Sequence, residues 1–305
     1  MNERTGLASM SEKPYSTKTI ADAQVGPDTA ALWSDITSHG LAGYVGEIDV
    51  TGYTVIPPDV AGTTTLWPRL LERILDVAEQ RTGERPDMDG RIAHTHSSLG
   101  LLLSYLLFED DAFQELLLNP VVLALQTYML GKNAKLSSMQ SQLKAAGDED
   151  LPIHCDNVLF SSPFAPHYQF CNISINLTDY AQDSGPICFV PGSHKLYRHP
   201  TRGEGYDQRV PAYAPPGSLI AFTGNTWHGA FARQAAGLRA SLLMQFVRPQ
   251  IRPFEPYRED VTPELVRKLG PRFGTLMGQD LNHGWRAEGP VNEGYAYNMG
   301  SHAYD

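Results

Sequence analysis

The chain has 305 residues, 42% of them hydrophobic and 19% charged, and a formal net charge of −10. That length can bury a substantial core in one large domain or two small ones. The acidic balance argues against nucleic acid or an anionic membrane surface as the main partner. No apolar run reaches the roughly 20 residues of a membrane span, and residues 1–27 lack the apolar stretch of a secretory signal. Three cysteines, Cys155, Cys171 and Cys188, form neither a disulfide framework nor a Cys-x-x-Cys site. A reducing cytoplasm is the expected compartment.

Residues 1–27, rich in Ser, Thr, Lys and Glu, read as a flexible lead-in. Asp28 is placed to cap a short helix carrying Leu32 and Ile36, with Gly40 as its stop. Thr51 to Ile56 reads as a strand ended by Pro57 and Pro58. An amphipathic helix follows, with Trp67, Leu70, Leu71, Ile74 and Ala78 on one stripe and Gly83 closing it. Leu99 to Phe108 is too apolar for periodicity to separate buried helix from strand. Asn119-Pro120 starts another helix that runs to Gly131. Residues 28–131 are thus expected to be mostly helical.

The character then changes. Lys135–Ala145, Phe170–Leu177, Ile187–Val190, Ser218–Phe222 and Arg239–Val247 read as short strands separated by Gly, Pro, Asn and Asp clusters. Asn172, Ser174 and Asn176 alternate with Ile173, Ile175 and Leu177, which predicts a strand with one wet face. Such spacing suggests an antiparallel barrel or sandwich, a jelly roll among them. One helix is expected near Thr262 to Leu269. The tail from Gly278 reads as a lid, an oligomer contact or a disordered end.

His154 and Asp156 stand two apart, so an extended backbone points both to one side. A second imidazole would complete a two-His-one-carboxylate set, which suits non-haem Fe(II). The chain has ten histidines. His94 and His96 precede the proposed barrel, and His283 and His302 fall in the tail. His194 belongs to a Pro-Gly-Ser-His turn, while His167 and His199 are expected to be exposed. His228 lies between two strand-like runs, where a returning strand can bring it beside the first pair. Arg239 opens an apolar strand, where a buried guanidinium needs a partner. Ser241 faces the same way. The pair is either one half of an ordinary salt bridge or a holder for a carboxylate of a co-substrate.

The order of His154-x-Asp156, Pro191-Gly192-Ser193-His194-Lys195, Trp227-His228 and Arg239 resembles the phytanoyl-CoA dioxygenase (PhyH) family of Fe(II)/2-oxoglutarate oxygenases. Leu177-Thr178-Asp179 and Ser184-Gly185-Pro186 fit the same pattern, and the likeness covers about residues 130–248. It implies a mainly β fold with flanking helices, a double-stranded β-helix (cupin-like jelly roll) core over about 132–250 in one domain of residues 28–277. It implies iron on His154, Asp156 and His228, and 2-oxoglutarate on Arg239 and Ser241, with Gln142 or Lys144 adding a contact. O2 is the remaining co-substrate and succinate and CO2 are products. A carboxylate at Asp156, where halogenating relatives carry a small residue, favours hydroxylation or a related oxidation. Ala230 replaces a Ser common in the family, and Ser174 replaces a Trp.

A small apolar molecule is the expected substrate, with Phe160, Phe164, Tyr168, Phe170 and Phe189 as candidate pocket walls, those of the loop after Asp156 best placed to meet it, and with space beside Ser174. The basic stretch Lys195, Arg198, Arg202 and Arg209 reads as a solvated loop or as a site for an anionic group. Two alternatives stay open: a non-catalytic metal-binding jelly roll, and a zinc-dependent hydrolase built on the same triad. No feature sets an oligomeric state.

Overall fold

In the computed structural model, residues 27–90, 92, 99–279, 285–287 and 289–290 are described. The lead-in, His94, His96, His283, His302 and most of the tail lie outside them, as do the expectations attached to those segments. Helix α1 (Pro27–Ser38) begins one residue before the expected cap. Helix α2 (Ala42–Thr51) was not expected, since its two glycines and its valines favour helix weakly. Burial of Val45 and Ile48 holds it in place. It ends at Gly52, whose φ of 95° admits the turn into strand β1 (Tyr53–Ile56).

The short α3 (Pro58–Ala61) leads to α4 (Leu66–Thr82), which buries Leu70, Leu71, Ile74 and Ala78 as the periodicity predicts and is closed by Gly83. The ambiguous segment after Leu99 resolves into a three-residue strand, β2 (Leu101–Leu103). Asp110 then caps α5 (Asp111–Leu117) by accepting the Ala112 N–H. Asn119 caps α6 (Pro120–Leu130) through Val121 and Val122.

The strands that follow are β3 (Lys135–Lys144), β4 (Leu151–His154), β5 (Phe170–Asn176), β6 (Ile187–Phe189), β7 (Val210–Pro211), β8 (Leu219–Thr223), β9 (His228–Ala230) and β10 (Arg239–Val247). They form two sheets, ordered β1-β8-β5-β10-β3-β2 and β4-β9-β6-β7, with every pairing antiparallel. This is the double-stranded β-helix. The expected helical half therefore supplies two strands, β1 and β2, that edge the larger sheet. Helices α7 (Tyr257–Asp260), α8 (Pro263–Leu269) and α9 (Pro271–Leu276) follow, then a two-strand ribbon, β11 (Trp285–Arg286) with β12 (Gly289–Pro290).

Residues opposed across an antiparallel pair share a face, so the register sorts the larger sheet into two. Ile173, Ile175, Leu242, Met244, Phe246, Met139 and Leu143 belong to the main core, together with Leu70, Ile74, Phe113 and Leu125 from the helices. Asn172, Ser174 and Asn176 share the other face with Gln142, Arg239, Ser241 and Gln245. That face is not wet in the expected sense, because all seven residues of β5 are buried. It is the polar inner wall of the jelly roll.

Candidate metal and co-substrate site

The smaller sheet places His154 opposite His228, and His228 opposite Phe189. His154 Nδ1 donates to the Pro152 carbonyl (2.8 Å) and His228 Nδ1 to the Thr226 carbonyl (2.9 Å). A carbonyl only accepts, so Nδ1 of each ring carries a proton, and in the neutral tautomer Nε2 is the nitrogen free to bind a metal. These Nε2 atoms lie 3.7 Å from different oxygens of the Asp156 carboxylate, and one ligand atom from each residue falls within 4.8 Å of the others. Burial pushes His228 down to about 4, partly opposed by the Asp156 charge, so it stays a neutral ligand near pH 7. No described lysine or arginine pairs with Asp156. Two imidazole Nε2 atoms and one carboxylate without a lysine or arginine partner among the described residues fit a divalent cation such as Fe(II).

Three of the contacts on the turn that carries Asp156 involve Asp156 or the residue after it. The Asn172 amide donates to Asp156 Oδ2. The Asp156 N–H donates to the Gly224 carbonyl at 3.0 Å. Asn157 donates to the Asn225 side chain, at the start of the turn into β9, and both residues are buried. Asn172 was legible only as part of an alternating strand; its place beside the metal turn comes from the fold. Such partners orient a ligand and tune its basicity.

Arg239 is 3% exposed on the same inner wall. Its plane lies 4.9 Å over the Tyr180 ring, and Nη1 donates to Gln142 Oε1 at 3.4 Å. Its Nε is buried without a partner, and no described carboxylate pairs with it. Gln142 also donates to the Leu99 carbonyl (3.1 Å), which fixes its amide. Lys144, opposite Arg239 in the register, is fully buried and donates to the Glu149 carbonyl at 2.8 Å. Burial first, then the neighbouring Arg239, pushes it down to about 8. Gln142 thus touches the guanidinium, whereas Lys144 contributes charge. Ser241 stands one pleat further along, opposite Gln142 and Asn176. A buried, carboxylate-free guanidinium fits the far carboxylate of a dicarboxylic acid.

Of the expected aromatic residues the structure brings Phe189 beside the triad, but not those of the loop after Asp156. Phe164 joins Cys155, Cys188, Val190 and Trp227 in a separate cluster, which Phe160 and Tyr197 flank. Cys188 opposes Gly229, whose neighbour His228 faces inward, so this cluster covers the outside of the smaller sheet. Tyr168 packs on the helical core, and its ring centroid lies 6.3 Å from that of His194. Ser174 does face inward, and its hydroxyl donates to the Ile220 carbonyl at 3.5 Å. The aromatic residues beside the metal ligands are Phe222 and Phe189, with ring centroids 4.6 and 6.2 Å from His228, and Tyr53 stacked on Phe189 at 4.1 Å. Phe189 was among the expected pocket walls; Phe222 and Tyr53 were not, because they come from strands distant in sequence from the metal pair.

Other expectations are settled by single contacts. His194 is buried beside α2, with Nε2 3.4 Å from the Asp49 carbonyl, and is not part of the His154–Asp156–His228 cluster. His199 is not exposed but partly buried and bonded through both ring nitrogens. Arg198 pairs with Glu204 at 2.6 and 2.8 Å, and Arg209 with Asp150 at 2.8 Å. Both also lie over aromatic rings, so two of the four cations of that stretch serve the fold. An open cavity of about 630 Å³ lies between Trp67, Leu71, Met88, Pro216 and Leu238, but it holds no triad residue.

The family profile described as phytanoyl-CoA dioxygenase (PhyH) matches residues 49–241. Dioxygenase af480 of Aspergillus fumigatus is 24% identical over 177 residues, which cover 57% of this chain and 56% of that protein. Dioxygenase FrzG of Cladobotryum sp is 31% identical over 162 residues, covering 49% and 51%. The chain thus spans about half the length of the curated relatives it matches. Among solved structures, HygX from Streptomyces hygroscopicus with nickel and 2-oxoglutarate bound has a TM-score of 0.56 at 15% identity, over 73% of this chain and 93% of that one. The non-heme alpha ketoglutarate dependent epimerase SnoN has a TM-score of 0.52 at 20% identity, over 77% and 91%. The ordered motifs, the jelly roll and the profile match agree: this chain belongs to the phytanoyl-CoA dioxygenase (PhyH) family.

Proposed function

We propose that the protein is a non-haem Fe(II)/2-oxoglutarate-dependent dioxygenase that hydroxylates, or otherwise oxidises, an unactivated C–H bond of a small molecule such as a natural-product intermediate or lipid. The observation that carries this reading is Arg239, a buried cation without a described carboxylate on the wall that also holds Asn172 and, through it, Asp156. When bound, iron and 2-oxoglutarate supply the activation of O2, with the co-substrate leaving as succinate and CO2. His154, Asp156 and His228 would hold the metal through one ligand atom each. Arg239 and Ser241 take the far carboxylate of the co-substrate. Gln142 keeps the guanidinium turned inward, Lys144 adds positive charge, and the Tyr180 ring supports it from one side. Tyr53, Phe189 and Phe222 pack against one another beside His228 and give that side of the site an aromatic wall.

Nothing specific favours the zinc-hydrolase reading. It needs a general base within reach of a metal-bound water, whereas the described inner wall offers the amides Asn172, Asn176, Gln142 and Gln245. A non-catalytic metal protein gives no reason for an unpaired buried Arg239. The test is an anaerobic titration with Fe(II) and then 2-oxoglutarate. A visible metal-to-ligand charge-transfer band that disappears in His228→Ala supports the reading, and its absence from folded, iron-loaded protein sinks it. Succinate formation distinguishes an active enzyme from a binding protein.

A further inference from the structure

We propose that His199 is a positioning residue for the metal, acting through Cys155, the residue between ligands His154 and Asp156. This role rests on the reading that the triad binds iron. His199 lies 44 residues from Cys155 in sequence, yet its Nδ1 is 3.3 Å from the Cys155 Sγ. The other ring nitrogen, Nε2, is 2.8 Å from the Phe160 carbonyl. A carbonyl cannot donate, so Nε2 carries a proton; in that neutral tautomer Nδ1 is the acceptor and the thiol of Cys155 the donor. The ring therefore grips the metal turn with one nitrogen and the following loop with the other.

The rest of the residue is held as firmly. Its main-chain N–H donates to Ser162 Oγ at 3.1 Å, and the Phe164 ring stands edge-on to the imidazole with centroids 4.7 Å apart. Trp227, the residue before the distal ligand, donates its indole N–H to the carbonyl of Arg198, next to His199. Segment 198–199 thus touches the neighbours in sequence of all three ligands, from the side of the sheet facing away from the metal. Alternation turns the Cys155 thiol outward while its neighbours turn inward. A pull on that thiol is therefore carried by one residue of backbone into both ligand side chains. His199 touches no ligand itself, and its effect is on where the ligands stand.

Three substitutions separate the two ring contacts. In His199→Asn the side-chain oxygen can replace Nδ1 and keep the Cys155 bond. In His199→Gln the longer amide can replace Nε2 and keep the Phe160 bond. His199→Phe keeps the ring's bulk and loses both. Each is titrated with Co(II) alone, reading affinity and the visible ligand-field spectrum, which reports the arrangement of the ligands whether or not turnover occurs. The expected result is a five- to thirty-fold weaker affinity and a changed spectrum in His199→Phe and His199→Gln. His199→Asn should stay within about twofold of the unsubstituted protein. Cys155→Ala should reproduce the defect, and adding His199→Phe to it should cost nothing more, since both cut one link.

Unchanged affinity and spectrum in Cys155→Ala, or equal defects in the Asn and Gln variants, would overturn the role of His199 while leaving the triad standing. A folded, unsubstituted protein of all 305 residues that binds no Co(II) would overturn the metal reading itself, and this role with it. If His199→Phe does not fold, the Asn/Gln contrast and Cys155→Ala carry the decision.

Discussion

Replacing Arg239 with methionine should raise the stability of the co-substrate-free protein while destroying its response to 2-oxoglutarate. The two signs follow from one geometry. Without ligand, the guanidinium is 3% exposed, its Nε has no acceptor, and its one side-chain hydrogen bond, to Gln142, is 3.4 Å long. An unsatisfied buried donor costs about 1–3 kcal/mol, and buried charges replaced by apolar groups of similar volume often leave a protein ~1–4 kcal/mol more stable. Methionine keeps contact with the Tyr180 ring and brings no charge. Taking about 1–2 kcal/mol as the net gain, and about 2–4 °C per kcal/mol for a chain of this size, the melting temperature should rise by about 2–8 °C. With the far carboxylate of 2-oxoglutarate left unpaired in the same place, binding should lose about 2–5 kcal/mol, or roughly thirty- to several-thousand-fold. The assay is a thermal melt of iron-loaded protein across a 2-oxoglutarate series, with a ligand-free arm. A variant that melts lower without ligand, yet is stabilised by 2-oxoglutarate as the unsubstituted protein is, would refute the assignment of Arg239 as the carboxylate holder.

The remaining predictions are simpler. His154→Ala or His228→Ala should reduce Fe(II) affinity by at least a hundredfold in an anaerobic titration, and tight binding in either would show that the metal sits elsewhere. Asn172→Leu should weaken metal affinity about ten- to a hundredfold by freeing one oxygen of Asp156; an unchanged dissociation constant would make that bond incidental. His228 is pushed down to about 4 by burial, while an unfolded histidine titrates near 6.5. The stability it contributes is present above about pH 6.5 and is lost as pH falls toward 4. Urea unfolding of the metal-free protein should therefore show about 2 kcal/mol less stability at pH 5 than at pH 7.5 from this group, a difference that disappears in His228→Gln. Gly52→Ala should cost about 3 kcal/mol, because a Cβ there would lie 2.5 Å from Thr226 Oγ1 and 2.7 Å from His194 Nδ1. Gly83→Ala, also at positive φ but with open space around it, should cost only about 1 kcal/mol, and equal losses at the two sites would contradict the packing.

What could be read from the residues, and what could not, divides along physical lines. His154-x-Asp156 was legible because alternation on an extended chain is a local rule. Arg239 was legible because a charge opening an apolar strand requires an explanation. The face of β5 was half legible: alternation shows that two faces differ, but not that the polar one meets a closed interior instead of water. Phe164 and Tyr168 were misplaced because their positions depend on which side of the smaller sheet the loop after Asp156 crosses, and that choice is made by distant partners such as His199 and Trp227. Strands β4 and β9 have four and three residues, too short for periodicity to register. Helix α2 runs against its own propensity, and what holds it, the burial of Val45 and Ile48 against the rest of the fold, is a tertiary effect.

Strand β1 bears on how this domain can be cut. It pairs along its whole length with β8, and Gly52 just before it accepts bonds from Thr223 and Thr226. Tyr53 reaches across to stack on Phe189 of the opposite sheet. A truncated protein beginning at residue 132 would keep every metal ligand and Arg239. It would also lay bare the β8 edge from Leu219 to Phe222, a row of unpaired main-chain groups carrying Leu, Ile, Ala and Phe. Such an edge invites strand addition from a second chain, so the excised core would be expected to aggregate before its metal affinity could be measured.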